Sequence, residues 1–358
     1  MSRPAQAILD LPAFAHNLKR VRELAPGRVV MSVIKANGYG HGMVKAANAL
    51  RDTDAFAVAC LEEALMLREA GIDRPIILLE GFFGPAEFPA IVQHRLTAVI
   101  HHEEQLRMLE GGRPPAPLPL WLKVDTGMHR LGLAPDKVAE ARQRLNAHPS
   151  KAEIKGYMTH LANADERDDP MTLRQVECFG RTLASYPEPK SIANSAGILA
   201  WPQTHADWVR PGLMLYGASP FAGSVGWDHG LQPALSLHSQ LMAVNKFKRG
   251  ERVGYGGEWQ CPEDMSVGVV AIGYGDGYPR HAKTGTPVLV NGQRVPLIGR
   301  VSMDMICVDL RAQPQARIGD PVCLWGTELP VEEIAQCADT IPYELLCRVT
   351  SRVRVLAE

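Results

Sequence analysis

From residue 29 to about residue 217, short β-branched runs alternate with longer stretches of helical period. The runs are VVMSVIK, AFAVAC, PIILLEG, TAVIH, LWLKVD, IKGYMTH, SIANS and WVRPGLMLYG. Between them, CLEEALMLREAG (Cys60 to Gly71) and APDKVAEARQRLNAH (Ala134 to His148) place apolar residues three and four apart, with charges on the other face. That spacing predicts amphipathic helices. Eight strand-like runs, each followed by a helical or loop segment, predict an α/β fold, a (β/α)8 barrel of the TIM type rather than an open doubly wound sheet. Past about residue 230 the texture changes to strands with tight turns: SVGVVAIGYGDGYPR, TPVLVNGQRVPLIGRVSMDMICVDL and DPVCLWG. Asn291-Gly292, flanked by β-branched runs, predicts a type I′ hairpin. One short helix, VEEIAQCA, is expected before IPYELL. The expected organisation is a barrel over residues 1–230 and a mainly β domain over 231–358.

The composition narrows the function classes. The chain has 358 residues, 46% hydrophobic and 22% charged, with a formal net charge of -1, which describes a globular protein with ample core material. No excess of either sign points to nucleic acid or an anionic membrane. MSRPAQAILDLPAF has no apolar core and no small-residue cleavage site, and no apolar run approaches roughly 18 residues, so a cytoplasmic location is expected. The seven cysteines (Cys60, Cys178, Cys261, Cys307, Cys323, Cys337, Cys347) include no C-x-x-C pair and are expected to be mostly buried small hydrophobes. His101 and His102, beside Glu103 and Glu104, open a helix-like stretch and read as a solvated first turn rather than as metal ligands.

In an α/β barrel the reactive face is where the strands end. Lys35 ends the first run. Lys123 and Asp125 end LWLKVD and precede TGMHR, His160 ends IKGYMTH, Asn194 and Ser195 end SIANS, and Arg210 lies in WVRPG. Each alone has an ordinary explanation: a strand-end lysine snorkels to water, a histidine is structural, an arginine makes an ion pair. Together they set several cations at one mouth without matching carboxylates, which implies an anionic ligand. A phosphate fits, because Ser195 and the amides of RPGLML follow the last two strands. A lysine beside a phosphate site suits a Schiff base with pyridoxal 5'-phosphate. The glycines of KANGYGHG then let the backbone approach the cofactor, and Tyr39 reaches its phosphate.

VIKANGYGHG, KVDTGMHRLG, THLANAD, VRPGLMLYG, VGYGGEW, GYGDGYPR and GRVSMDMICVDL occur in order along nearly the whole chain and together resemble the alanine racemase family. The resemblance implies a barrel-plus-β-domain isomerase that uses pyridoxal 5'-phosphate to interconvert L- and D-alanine, for cell wall or for alanine catabolism. It implies that Lys35 holds the cofactor and acts as base toward the D-enantiomer, with Tyr255 as base toward the L-enantiomer. Tyr39, Ser195, Gly212, Leu213 and Tyr343 match phosphate-binding positions. Arg210 matches the residue facing the pyridine nitrogen, with His160 behind it. Arg130 and the backbone N–H of Met303 match the substrate carboxylate contacts, and Lys123 matches a lysine often carbamylated to orient Arg130. Tyr274 and Arg280 resemble the lining of the entry path, and Asp304 lies beside the carboxylate-binding amide.

Two acid/base groups on opposite sides of a planar carbanion are what racemisation needs. Tyrosine ionises near 10 in water, so a tyrosine base calls for nearby cations. An arginine at the pyridine nitrogen leaves it unprotonated, because guanidinium accepts no proton. The family's β domain covers the neighbouring subunit's barrel, so a homodimer with shared sites is expected. Three other readings are a racemase of broader specificity acting on serine, a decarboxylase of this fold type, and a non-catalytic cofactor-binding protein. Arg210 opposes the decarboxylase, which would carry an acidic residue there, and the β domain would be superfluous to simple binding. Gly38 and His129 depart from the family pattern, where alanine and glycine are usual.

Overall fold

The computed structural model describes residues 3–147 and 152–357. The chain opens on strand β1 (Gln6–Leu9) and a helix, Leu11–Leu24, started by Asp10, whose carboxylate accepts the amide of Ala13 at 3.0 Å. Ala13, Phe14, Leu18 and Val21 recur at helical spacing and are all buried. Burying a Leu, Val or Phe side chain fully is worth about 1.5–3 kcal/mol, and this helix is held to the barrel by that stripe. The barrel follows: β2 (Val29–Val33), β3 (Ala55–Val58), β4 (Ile76–Leu78), β5 (Leu96–Ile100), β6 (Pro119–Lys123), β7 (Glu153–Met158), β8 (Lys190–Ser191) and β9 (Trp208–Val209). Every neighbour pairs in parallel, and β2 closes on β9 through Val29–Trp208 and Val30–Val209. Strands such as Ala55–Val58 and Ile76–Leu78 are buried throughout, as a sheet covered on both faces requires.

The eight expected strands are the eight barrel strands, with one difference of extent. WVRPGLMLYG is extended only at Trp208–Val209, and Leu213–Tyr216 winds into a 3-10 turn. Pro211 removes an amide from any ladder, and Gly212 starts the turn.

The second sheet comprises β10 (Leu235–Phe247), β13 (Met265–Val270), β14 (Pro287–Val290), β15 (Gln293–Ile298), β16 (Ile306–Asp309), β17 (Pro321–Trp325) and β18 (Arg354–Ala357); β11 (Arg252–Val253) and β12 (Trp259–Gln260) form a separate ribbon. Leu237–Gln240 of β10 pairs with β17, and Leu241–Phe247 pairs with β13. The ring β10-β13-β16-β15-β14-β17 therefore closes on itself. Asn291 (φ 51°) and Gly292 (φ 75°) make the expected two-residue hairpin between β14 and β15.

Two features differ from expectation. Strand β1 belongs to this second sheet, antiparallel to β10 and parallel to β18, so the segment assigned to the barrel over 1–230 begins outside it. IPYELL is also helical: a helix over Pro342–Cys347 follows the expected one, Val331–Cys337. This extra helix folds back over the barrel mouth, where Gly40 packs against the Leu346 carbonyl so closely that a Cβ would lie 2.0 Å from it.

Candidate active site

Lys35 leaves the end of β2 into an unusual turn. Ala36, Asn37, Gly38 and Tyr39 have φ of 53°, 53°, 61° and 50°, a left-handed run that three of the four adopt with a Cβ. Such strain persists only where the surroundings over-determine it. The Ala36 amide donates to Glu63 Oε1 at 2.8 Å, and Glu63 Oε2 accepts the Ala59 amide at 2.7 Å, tying the turn to the end of β3. Asn37 Oδ1 accepts the Met43 amide at 3.0 Å. His41 is fully buried and donates from Nδ1 to the Tyr39 carbonyl at 2.8 Å; burial, opposed by its backbone contacts, lowers its pKa to about 4 and keeps it neutral. The Tyr39 ring stacks on Tyr216 at 4.6 Å and meets Tyr343 at 6.0 Å.

Across the mouth, Asn194 caps the helix Ser195–Ala200, its Oδ1 accepting the Gly197 amide at 2.9 Å. Ser195 Oγ accepts the amides of Gly212 at 2.9 Å and Met214 at 3.3 Å, which leaves its proton free to donate. A Cβ on Gly212 would sit 2.7 Å from the Tyr39 hydroxyl, so only glycine lets these groups share the space. Burial pushes the Tyr39 phenol far up and the Tyr343 phenol to about 12, so both stay protonated and can donate to an anion.

A cavity of about 520 Å³ joins these groups, lined also by Lys35, Lys123, Arg130, Arg210, His160 and Leu213. Against its four lysines and arginines, Glu80 is the carboxylate in the lining. Burial and then the charges of Arg210, Arg130 and Lys35 lower the Lys123 amine to about 8. Burial lowers Arg210 to about 10. The Arg210 guanidinium is fixed by donating to Ser191 Oγ at 2.6 Å and to the Thr159 and Ile192 carbonyls at 2.5 and 3.2 Å. Burial and then Arg210 hold His160 well below 6.5, hence neutral. A buried cluster of like charge is costly unless an anion enters it. The donor set therefore fits an anionic group such as a phosphate at the Tyr39–Ser195–Gly212 end, with the Lys35 side chain on the same cavity.

The structure gathers Lys35, Tyr39, Lys123, Arg130, His160, Ser195, Arg210, Gly212, Leu213 and Tyr343 at this cavity. Asp125 stands just outside and shapes the loop. It accepts the amides of Gly127 and His129 at 3.0 Å each, and His129 Nδ1 lies 3.1 Å from its other oxygen. His129 has a left-handed φ of 53° and a side chain 82% exposed, so it turns away from the cavity at a position whose backbone favours glycine. Tyr255, Tyr274, Arg280, Met303 and Asp304 do not line the cavity of their own chain. They lie on the β domain, with Tyr255 67%, Met303 52% and Tyr274 39% exposed.

The cavity also includes Glu80, Thr159 and Cys347, none of which was expected there. Glu80, next to last in PIILLEG, was open to the same strand-end argument. Cys347 comes with the overlooked helix. His102 caps the helix Glu103–Gly111 through Nδ1, while His101 is half-buried and donates to the Glu80 carbonyl at 2.9 Å. No group of three or more metal-ligating side chains occurs among the described residues.

A barrel with an amine at an anion-binding mouth, followed by a β domain with an exposed tyrosine, defines a class of two-domain enzymes that hold a phosphorylated cofactor covalently. Comparison with known proteins narrows the class. The family models for the alanine racemase N-terminal and C-terminal domains match residues 9–220 and 234–357. An alanine racemase from Nitrosococcus oceani is 55% identical over 348 residues, covering 97% of this chain and 98% of its own. The crystal structure of the biosynthetic alanine racemase from Pseudomonas aeruginosa superposes with a TM-score of 0.96 at 45% identity, covering 99% of each chain. That of the enzyme from Bartonella henselae, with covalently bound pyridoxal phosphate, does so at 0.88 and 30% identity, again over 99% of each. The chain belongs to the alanine racemase family.

Proposed function

We propose that the chain interconverts L- and D-alanine with pyridoxal 5'-phosphate held at the barrel mouth, in a homodimer whose two sites each draw on both subunits. The observation that carries this is the division of the site residues: amine, phosphate donors and cations surround one cavity, while Tyr255 and Met303 stand exposed on the other domain of the same chain. Membership of the family supports the reaction and the cofactor. All seven cysteines are unpaired, which suits the reducing cytoplasm, the location we propose. No helix among the described residues is long and apolar enough to cross a membrane.

Bound here, pyridoxal phosphate supplies an aldehyde that condenses with amines and a conjugated ring that delocalises the electron pair left at the α-carbon. The residues do the rest. Tyr39, Ser195, Tyr343 and the backbone of Gly212 and Leu213 would hold the phosphate. Arg210 would sit at the pyridine nitrogen, where a guanidinium accepts no proton and so would not protonate that nitrogen, with His160 behind it. Arg130 and the partner's Met303 N–H bind the substrate carboxylate, and that orients the Cα–H bond between the two bases. The Lys35 amine exchanges a proton on one face and the partner's Tyr255 phenol on the other. Tyr274, Arg280 and Asp304 border the approach. Tyr255 and Tyr343 leave room for a methyl-sized side chain, which favours alanine over serine.

The test is incubation of the holoenzyme with L-alanine, D-alanine or L-serine in deuterated water. Both alanines are expected to take up deuterium at the α-carbon and to racemise, with L-serine far slower. In Tyr255→Phe, D-alanine is expected still to exchange its α-proton, while L-alanine does not and net racemisation is lost. Unchanged turnover of L-alanine in that variant would overturn the two-base assignment.

A further inference from the structure

Beneath the exposed strip that carries Tyr274 and Met303 lies a fully buried carboxylate, Asp276, between two arginines. Arg3 Nη2 lies 2.6 Å from Asp276 Oδ2, and Arg352 Nε lies 3.5 Å from Oδ1. Oδ2 also accepts the Gly273 amide at 2.9 Å, whereas Oδ1 makes no hydrogen bond. Both arginines reach on to Asp304: Arg352 Nη2 donates to Oδ1 at 2.6 Å, and Arg3 Nη2 donates to the carbonyl at 2.6 Å. One buried charge thereby joins the start of the chain, the segment 273–277, the segment 302–305 and the segment 350–352.

Those segments are pressed backbone to backbone. A Cβ on Gly273 would lie 2.3 Å from the Ser302 carbonyl oxygen and 2.5 Å from the Met303 carbonyl carbon. The Tyr274 amide donates to the Ser302 carbonyl at 3.0 Å, and the Gly275 amide to the Met303 carbonyl at 2.8 Å. Thr350 closes the other side, its amide donating to the Asp276 carbonyl at 3.1 Å and its hydroxyl to the Gly275 carbonyl at 3.0 Å. With its carbonyl tied down in this way, the Met303 peptide has a fixed orientation. Its N–H has no acceptor among the described residues. A carboxylate buried this completely costs solvation that a purely surface loop does not need to spend.

We infer that Asp276, clamped by Arg3 and Arg352, is a positioning residue that presents the Met303 N–H and the Tyr274 side chain to the partner's barrel. This rests on the shared-site reading given above. Asp276 touches neither substrate nor cofactor, so its removal loosens carboxylate binding without removing a base. L- and D-alanine have equal free energies, so kcat/KM must fall equally in both directions. Loss of a uniform binding contact raises KM and leaves kcat nearly unchanged.

The experiment compares steady-state kinetics of wild-type holoenzyme, Asp276→Asn and Arg352→Gln with L- and D-alanine, alongside the cofactor's visible absorbance and thermal unfolding. Arg3→Gln, which removes one of the two arginines and leaves Asp276 its contacts with Arg352 and the Gly273 amide, covers failure of the other two to fold. Expected are KM values raised on the order of ten-fold for both enantiomers, kcat within about two-fold, and full cofactor loading, with a smaller rise in Arg3→Gln. Unchanged KM, or activity lost only in proportion to folded, cofactor-loaded protein, overturns the positioning role. Tyr255→Phe in the same assay separates the two failures: its inactivity with unchanged KM in the other variants sinks this inference alone, whereas its full activity sinks the two-base reading.

Discussion

Lys123 is the residue whose chemistry the barrel alters most usefully. In the unfolded chain its amine ionises near 10.5; burial and three neighbouring cations bring that to about 8 in the folded protein. The folded state disfavours the proton, so the destabilisation is fully present below about 8 and disappears as pH rises toward 10.5. In carbon-dioxide-free buffer, cofactor-free Lys123→Met is therefore expected to melt above wild type at pH 7, with the gap closing on the way to pH 10.5. The same depression leaves a share of neutral, nucleophilic amine near pH 8, which can add carbon dioxide and release a proton. That reaction turns a cation beside Arg130 into an anion. Bicarbonate should then raise the wild-type melting temperature and leave the variant's unchanged. A variant that melts below wild type throughout would mean that the lysine is already compensated.

At the scale of elements, the helix Pro342–Cys347 seats the Lys35 turn. Gly40 has φ of 81°, and a Cβ there would meet the Leu346 carbonyl at 2.0 Å. Gly40→Ala is expected to push the helix off the mouth, carrying Tyr343 with it. Equilibrium titration should show cofactor affinity falling at least about ten-fold, roughly 1.4 kcal/mol, and wild-type affinity would show that the contact is slack. This helix also marks where legibility in the sequence stopped. Lys35, Lys123, His160 and Arg210 could be read from the residues because each lies at the end of a strand-like run or within one, and a barrel turns strand ends into neighbours. IPYELL carries no such periodicity: the helix it enters, Pro342–Cys347, has six residues, fewer than two turns, set by tertiary contact. Tyr343, Tyr255 and Met303 were reached only through family resemblance, since nothing local says which surface they face. Strand β1 is four residues long, and its partners β10 and β18 lie in the other half of the chain, so pattern alone could not place it.

For the whole molecule, the shared site proposed above means that each copy of the chain would supply half of two sites and need a second copy to complete either. Within one chain Tyr255 does not line the Lys35 cavity, and the β domain exposes Tyr255 and Met303. In the proposed two-fold dimer each subunit would bring its Tyr255 and Met303 to the other's cavity. Lys35→Ala and Tyr255→Phe should each be inactive alone. Unfolded together and refolded in equal amounts, they should form heterodimers in which one mouth has both defects and the other has neither. Random pairing makes half of all dimers mixed, so about a quarter of wild-type racemase activity should return. Mixtures that stay as inactive as either parent, despite heterodimers confirmed by mass, would show that both bases come from one chain.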